Sequence, residues 1–136
     1  MTIPIQPAAE PPRGHAPSVF EAAGGLPAFV ALVDDFYDRV KADQLLAPMF
    51  PQDLTEAKSH LALFLAQFFG GPAEYSRRRG HPRLRMRHLP FTIGQRERDA
   101  WLSHMLAALD ASGIPEPAAS EMRRYFEDGS TFMMNA

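Results

Sequence analysis

The sequence has no cysteine, which excludes disulfides, thiolate catalysis and cysteine-held zinc or iron–sulfur centres. Any metal must be held by His, Asp, Glu, Met or Tyr. An excess of one charge is missing too. The 14 Lys+Arg and 16 Asp+Glu leave a formal net charge of −2, which gives no overall pull toward nucleic acid or an anionic membrane. No apolar run approaches the roughly 18–20 residues that span a bilayer. The first residues lack the basic start and apolar stretch of a secretory signal. A cytoplasmic protein that binds neither membrane nor nucleic acid is the expectation. Sustained period-2 alternation is absent, as are HExxH and G-x-S-x-G, so β architecture, zinc hydrolysis and serine hydrolysis lack support.

What is present suits one helical domain. A chain of 136 residues, 46% of them apolar, can build a single core. Residues 1–17 carry Pro4, Pro7, Pro11, Pro12 and Pro17 and read as a flexible tail, because proline interrupts helices. The domain is expected over residues 18–136. Ser18-Val-Phe-Glu21 forms a capping box, and Gly24-Gly25 ends the short helix it opens. Pro27 suits the first turn of a longer helix whose inner stripe is Leu26, Phe29, Val30, Val33, Phe36, Tyr37 and Val40. Asp43–Phe50 reads as a helical turn stopped by Pro48 and Pro51. Asp53-Leu-Thr-Glu56 forms a second box, opening a helix to about Phe69 with Leu54, Ala57, Leu61, Phe64, Leu65 and Phe68 inside. Gly70-Gly71-Pro72 stops it. Thr92-Ile-Gly-Gln95 opens the next helix, with Trp101, Leu102, Met105, Leu106 and Leu109 inside. Pro115 opens the last, with Ala119, Met122, Phe126, Gly129 and Met133 at helical spacing. The fold class is all-α.

The stretch between the second and third boxes is the exception. Residues 72–91 contain Pro72, Gly80, Pro82 and Pro90 and leave room only for short helical pieces, chiefly Arg83–His88. Yet Leu84, Met86, Leu89 and Phe91 supply apolar anchors, and a long irregular connection inside a compact domain usually serves a function. Of the five histidines, His88 sits at a helix end on an apolar face. Such an imidazole is either a core residue bonded to backbone or a ligand to haem iron, its second ring nitrogen fixed by a carbonyl. Beside it, Arg77, Arg78, Arg79, Arg83, Arg85 and Arg87 place six of the 14 Lys+Arg within eleven residues. They fit a solvated basic face, a nucleic-acid contact with only Tyr75 to stack on bases, or partners for the anionic edge of a haem. Tyr37 and Trp101 are polar-tipped aromatics on apolar stripes. By default they pack in the core; facing one cavity, they supply an O–H and an N–H donor to its occupant.

Taken together, these residues resemble a known family. From about Phe20 to Phe132 the chain resembles the group II truncated haemoglobins. The match runs through Phe36-Tyr37, Phe68-Phe69-Gly70-Gly71-Pro72, and the block Tyr75-Ser76-x-x-Arg79-Gly80-His81-Pro82-Arg83-Leu84-Arg85-Met86-Arg87-His88-x-Pro90-Phe91. Glu97-Arg98-Asp99-Ala100-Trp101-Leu102 completes it. The resemblance implies a shortened globin, a two-over-two helical sandwich around haem b, with His88 as the proximal iron ligand. It puts Tyr37 and Trp101 in the distal pocket, as donors to a bound ligand and as the residues that carry any catalysis. Ala57 falls where longer globins carry a distal histidine, Leu61 lines the same side, and Phe50 packs on the haem where some members have tyrosine. His60 and Arg87 are implied as propionate partners.

The implied function is reversible binding of O₂, NO, CO or sulfide. Two donors to a partly negative O₂ favour slow release, which suits redox chemistry or sensing more than oxygen transport; O₂/NO redox chemistry such as NO dioxygenation or weak peroxidase activity is the leading expectation. A reductase partner would then restore the iron. The alternative is a non-catalytic gas binder or sensor, and either a monomer or a homodimer is compatible with the sequence.

Overall fold

Ser18 starts the first helix as its pattern predicts. Its hydroxyl accepts from Glu21 N at 3.2 Å while Glu21 Oε1 accepts from Ser18 N at 3.1 Å. In the computed structural model, which describes residues 17–136, this box opens α1 (Val19–Ala23), and Gly24 closes it in the left-handed conformation at φ 115°. The proposed tail, apart from Pro17, lies outside the described residues. Six further α-helices follow: α2 (Leu26–Lys41), α3 (Thr55–Phe68), α4 (Glu74–Arg79), α5 (Leu84–His88), α6 (Gln95–Ala111) and α7 (Ala118–Phe132), with one 3₁₀ turn at Ala47–Met49. No strand occurs among the described residues.

The core lies where α2 meets α3 and α6, and where α6 meets α7. α2 buries Phe29, Leu32, Val33, Phe36, Tyr37 and Val40, each large apolar side chain contributing about 1.5–3 kcal/mol when fully removed from water. Leu26 and Val30, expected inside, are 40% and 43% exposed. The buried stripe passes through Leu32 instead, since Phe29, Leu32, Val33 and Phe36 are the residues that share one face at 3–4 spacing.

Three helix starts differ from the sequence expectation. At α3, Asp53 Oδ1 accepts from Thr55 N at 3.0 Å, but the cap position is Leu54 and makes no side-chain bond. Glu56 is then only the second helical residue, one short of the position that reaches back in a capping box. At α6 the cap is Gly94, whose N–H donates to Glu97 Oε1 at 2.8 Å and which has no side chain to return a bond. Ile93 N donates instead to Asn135 Oδ1, which keeps Thr92 and Ile93 outside the helix. At α7 the helix begins at Ala118, not Pro115, because the residue before Pro117 is disfavoured in the α region. Its buried stripe is accordingly Ala118, Met122, Phe126 and Ser130. Pro48, expected to stop the turn before it, lies inside the 3₁₀ turn at a position where its missing N–H costs nothing.

The irregular stretch is anchored at its start by Gln67, buried to 2% exposure on α3. Its amide donates to Ser76 Oγ at 2.7 Å and accepts from Ser76 N at 2.9 Å, fixing α4 against α3. Tyr75, on α4, packs edge-on to Phe64.

Candidate functional site

His88 closes α5, and its ring is fixed from within that helix. Nδ1 lies 2.6 Å from Leu84 O. A carbonyl can only accept, so the neutral imidazole carries its proton on Nδ1 and Nε2 keeps the free lone pair. The side chain lines a cavity of about 300 Å³ together with Leu84, Phe91 and Ile93. α2 and the 3₁₀ turn contribute Tyr37, Leu46, Met49 and Phe50, α3 contributes Leu61, Phe64 and Leu65, and α6 contributes Trp101. α7 adds Tyr125, Phe126 and Met133.

The aromatic walls hold the two polar tips in place. Tyr37 meets Phe36 and Phe50 edge-on, at centroid distances of 5.0 and 5.6 Å. Trp101 meets Phe36 at 5.3 Å and Phe126 at 6.1 Å. Among the described residues neither the Tyr37 hydroxyl nor the Trp101 indole N–H has a protein partner, and both residues line the cavity. Burial pushes the Tyr37 hydroxyl up to about 12, so it stays protonated and able to donate throughout the neutral range. Tyr125 is pushed up to about 12 for the same reason.

Five residues singled out in the sequence therefore meet at one cavity: His88, Tyr37, Trp101, Phe50 and Leu61. Ala57, His60 and Arg87 do not line it. Ala57 packs on the core, one turn from Leu61. His60 lies under Arg79, whose Nη1 is 2.8 Å from the nearer ring nitrogen. Partial burial, then the charges of Arg79 and, more weakly, Arg87, hold its pKa below the usual histidine value. Arg87 Nε donates to Pro82 O at 2.8 Å. The other arginines of the cluster are largely engaged within the fold. Arg77 and Arg78 pair with Glu74, and Arg85 bonds to Phe132 O.

The sequence reading missed Glu97, Arg98 and Tyr125 as cavity residues. The signal was available for the first two, which lie four and three positions before Trp101 and so share its helix face. Tyr125 follows Met122 by three and lies beside the stripe that was named. Arg98 is notable because its Nε is fully buried without a partner, although its terminal nitrogens reach Asp99 and Glu127 O.

A cavity walled mainly by apolar and aromatic groups, lined by one imidazole with a free lone pair and by the unpartnered donors of Tyr37 and Trp101, is the shape of a globin haem pocket. The family model for bacterial-like globins matches residues 18–135. The chain belongs to the group II truncated haemoglobins. It is 52% identical over 83 residues to the group 2 truncated haemoglobin YjbI of Bacillus subtilis, a match covering 61% of this chain and 63% of that relative. The haemoglobin of Chloroflexus aurantiacus superposes with a TM-score of 0.88 at 58% identity, covering 89% of this chain and all of the other. The group II truncated haemoglobin of Bacillus anthracis gives 0.87 at 38% identity, covering 90% and 94%. This truncated haemoglobin has the two-over-two globin fold. Its family implies haem and small gaseous ligands such as O₂. No helix of the described residues is long and apolar enough to cross a membrane.

Proposed function

We propose that this truncated haemoglobin holds haem b through His88 and uses it for O₂/NO redox chemistry, with NO dioxygenation or weak peroxidase activity as the class of reaction. The observation that carries this reading is that His88, held by Leu84 O through Nδ1, lines one largely apolar cavity together with Tyr37 and Trp101. The residues suit the group. The cavity offers a flat hydrophobic cofactor aromatic and aliphatic walls, and its one imidazole is already oriented by a backbone carbonyl. When bound, haem supplies a redox-active iron with an open coordination position for O₂, NO, CO or sulfide.

The protein's own contribution begins with His88. The Leu84 carbonyl fixes its tautomer and raises the basicity of Nε2. Tyr37 and Trp101 then stabilise negative charge on whatever diatomic occupies the cavity. Their hydrogen bonds are strong there because the walls exclude water. Neither must break an existing protein bond before donating. Phe50 and Leu61 exclude water and set the space, and Phe50 leaves the site without a second phenolic donor at that position. His60 and Arg87, with Arg79 beside them, form a basic edge next to the chain segments that carry Leu61 and His88. This edge suits the two carboxylates of a haem.

Slow loss of O₂ through two donors favours reaction over delivery, and conversion of O₂ and NO to nitrate requires one electron that a reductase returns. The test mixes reduced, O₂-equilibrated protein with NO. Stoichiometric nitrate formed faster than O₂ leaves spontaneously, followed by re-reduction with a cellular reductant, is expected. Nitrate formed no faster than in buffer would remove the dioxygenase reading and leave a gas binder or sensor.

A further inference from the structure

The residues after α7 fold back onto the segment that carries His88. Asn135 Nδ2 donates to Phe91 O at 2.8 Å and, at a longer 3.4 Å, to His88 O itself. Asn135 Oδ1 accepts from Ile93 N at 2.8 Å. The backbone N–H groups of Asn135 and Ala136 donate to Ile93 O at 2.9 and 3.2 Å. From α5, Arg85 Nη1 donates to Phe132 O at 2.6 Å and to Met134 O at 3.3 Å. Its guanidinium lies 5.6 Å from the centre of the Phe132 ring.

The segment needs such anchorage. α5 is five residues long, and a helix of that length does not hold itself in water. Its cap residue, Arg83, has φ 47° and makes no side-chain cap bond. The Arg87 side chain bonds to Pro82 O and its N–H to Arg83 O, both inside the same stretch. Among the described residues, every hydrogen bond that ties residues 84–93 to the chain beyond their own neighbourhood ends on residues 132–136. On this segment the backbone groups involved are those of His88, Phe91 and Ile93, residues that also line the cavity.

We propose that Asn135 and Arg85 are positioning residues for the iron ligand. They clamp the His88 segment to the end of α7 and so fix how far and in which direction Nε2 enters the cavity. Asn135 pins the chain just past the imidazole, and Arg85 pins it one turn before. Without them the segment can withdraw, lengthening the bond His88 makes and easing loss of the cofactor. This inference rests on His88 as the iron ligand.

The test compares Asn135→Ala, Asn135→Asp and Arg85→Lys with the full chain carrying haem. Arg123→Ala is the control, since the exposed Arg123–Asp110 pair also ties α7 to another helix but lies on neither side of α5. Three readouts are taken: amide exchange at Ile93, the iron–histidine stretch of the ferrous protein, and the rate of haem transfer to an acceptor globin. Asn135→Ala should speed Ile93 exchange and haem loss at least tenfold and should lower or broaden the stretch. Asn135→Asp, which keeps the acceptor for Ile93 N but loses the two donated bonds, and Arg85→Lys should move them the same way by less. Arg123→Ala should move none beyond twofold. Faster exchange with an unchanged stretch and unchanged haem loss would overturn the proposal, as would equal effects in Arg123→Ala. Exchange at Ile93 reports the clamp whatever ligates the iron, and the spectrum of His88→Gly reports the ligand whatever the clamp does, so the two readings fail separately.

Discussion

Replacing Trp101 and Tyr37 by Phe, singly and together, probes the distal half of the site. Trp101→Phe leaves a six-membered ring against Phe36 and Phe126, 5.3 and 6.1 Å away, and removes the N–H. Tyr37→Phe keeps the packing against Phe36 and Phe50 and removes the hydroxyl. Neither group has a protein partner to lose, so each change reports the bond to the cavity's occupant. A hydrogen bond to a charged acceptor contributes about 1.5–3 kcal/mol, and about 1.4 kcal/mol is tenfold in affinity. Trp101→Phe should therefore raise the O₂ dissociation rate roughly tenfold or more. Tyr37→Phe should do less, because Trp101 still holds the ligand. The double variant should depart from additivity, since the two donors share one acceptor. CO, which carries less charge, should respond weakly. The Tyr37 contribution should hold from neutral pH to about pH 10, because its hydroxyl titrates only near about 12. Stopped-flow O₂ release from the four proteins measures this. Rates within twofold of one another across the series would mean that neither side chain faces the occupant.

Two further outcomes concern the frame of the site. Asp43 accepts from His104 Nε2 at 2.6 Å and from Leu45 N at 2.8 Å, which together hold its carboxyl below the usual aspartate range. Its stabilising effect is thus complete above the ordinary value of about 3.9 and is lost as pH falls through the lower folded-state value. Asp43→Asn should melt roughly 4 °C lower at neutral pH, about 1 kcal/mol for a domain of this size, and show a shallower acid decline; identical melting curves from pH 7 down to acid would refute the link. Gly71 is closed to any side chain, because a Cβ there would lie 2.7 Å from Phe20 Cδ1 and 2.8 Å from Ala66 O. Gly71→Ala should cost about 1–3 kcal/mol in denaturant unfolding. Gly113→Ala, with open space but φ +76°, should cost no more than about 1–2 kcal/mol.

Much of this was legible from local chemistry. Ser18 and Glu21, Gly24, Pro27 and the Gly70-Gly71 stop act within a few residues of themselves, and the structure keeps each where the pattern put it. The Asp53 box differs because the helix starts one residue later, after Leu54, and the Thr92 box because a longer-range partner competes there. Ile93 N goes to Asn135, 42 residues away, and no window of local sequence contains that bond. The stripe of α2 was displaced from Val30 to Leu32 for a similar reason, since periodicity gives a face but its neighbours decide the centre. At the site, His88, Tyr37, Trp101, Phe50 and Leu61 converge as the family motifs imply. Glu97 and Arg98 stand in a family motif but were given no place in the cavity, and Tyr125 lies beside the named stripe of the last helix rather than on it.

His88 is the residue on which haem binding turns, and the most direct test is the ferrous spectrum of His88→Gly with and without added imidazole. The wild type should show five-coordinate ferrous haem with an iron–histidine stretch. The variant should lose that stretch and regain a five-coordinate spectrum when imidazole enters the vacated space beside Leu84. An unchanged stretch in His88→Gly would place the iron on another residue, with His60 or His81 the next candidates, and would contradict the assignment of this cavity as the haem site.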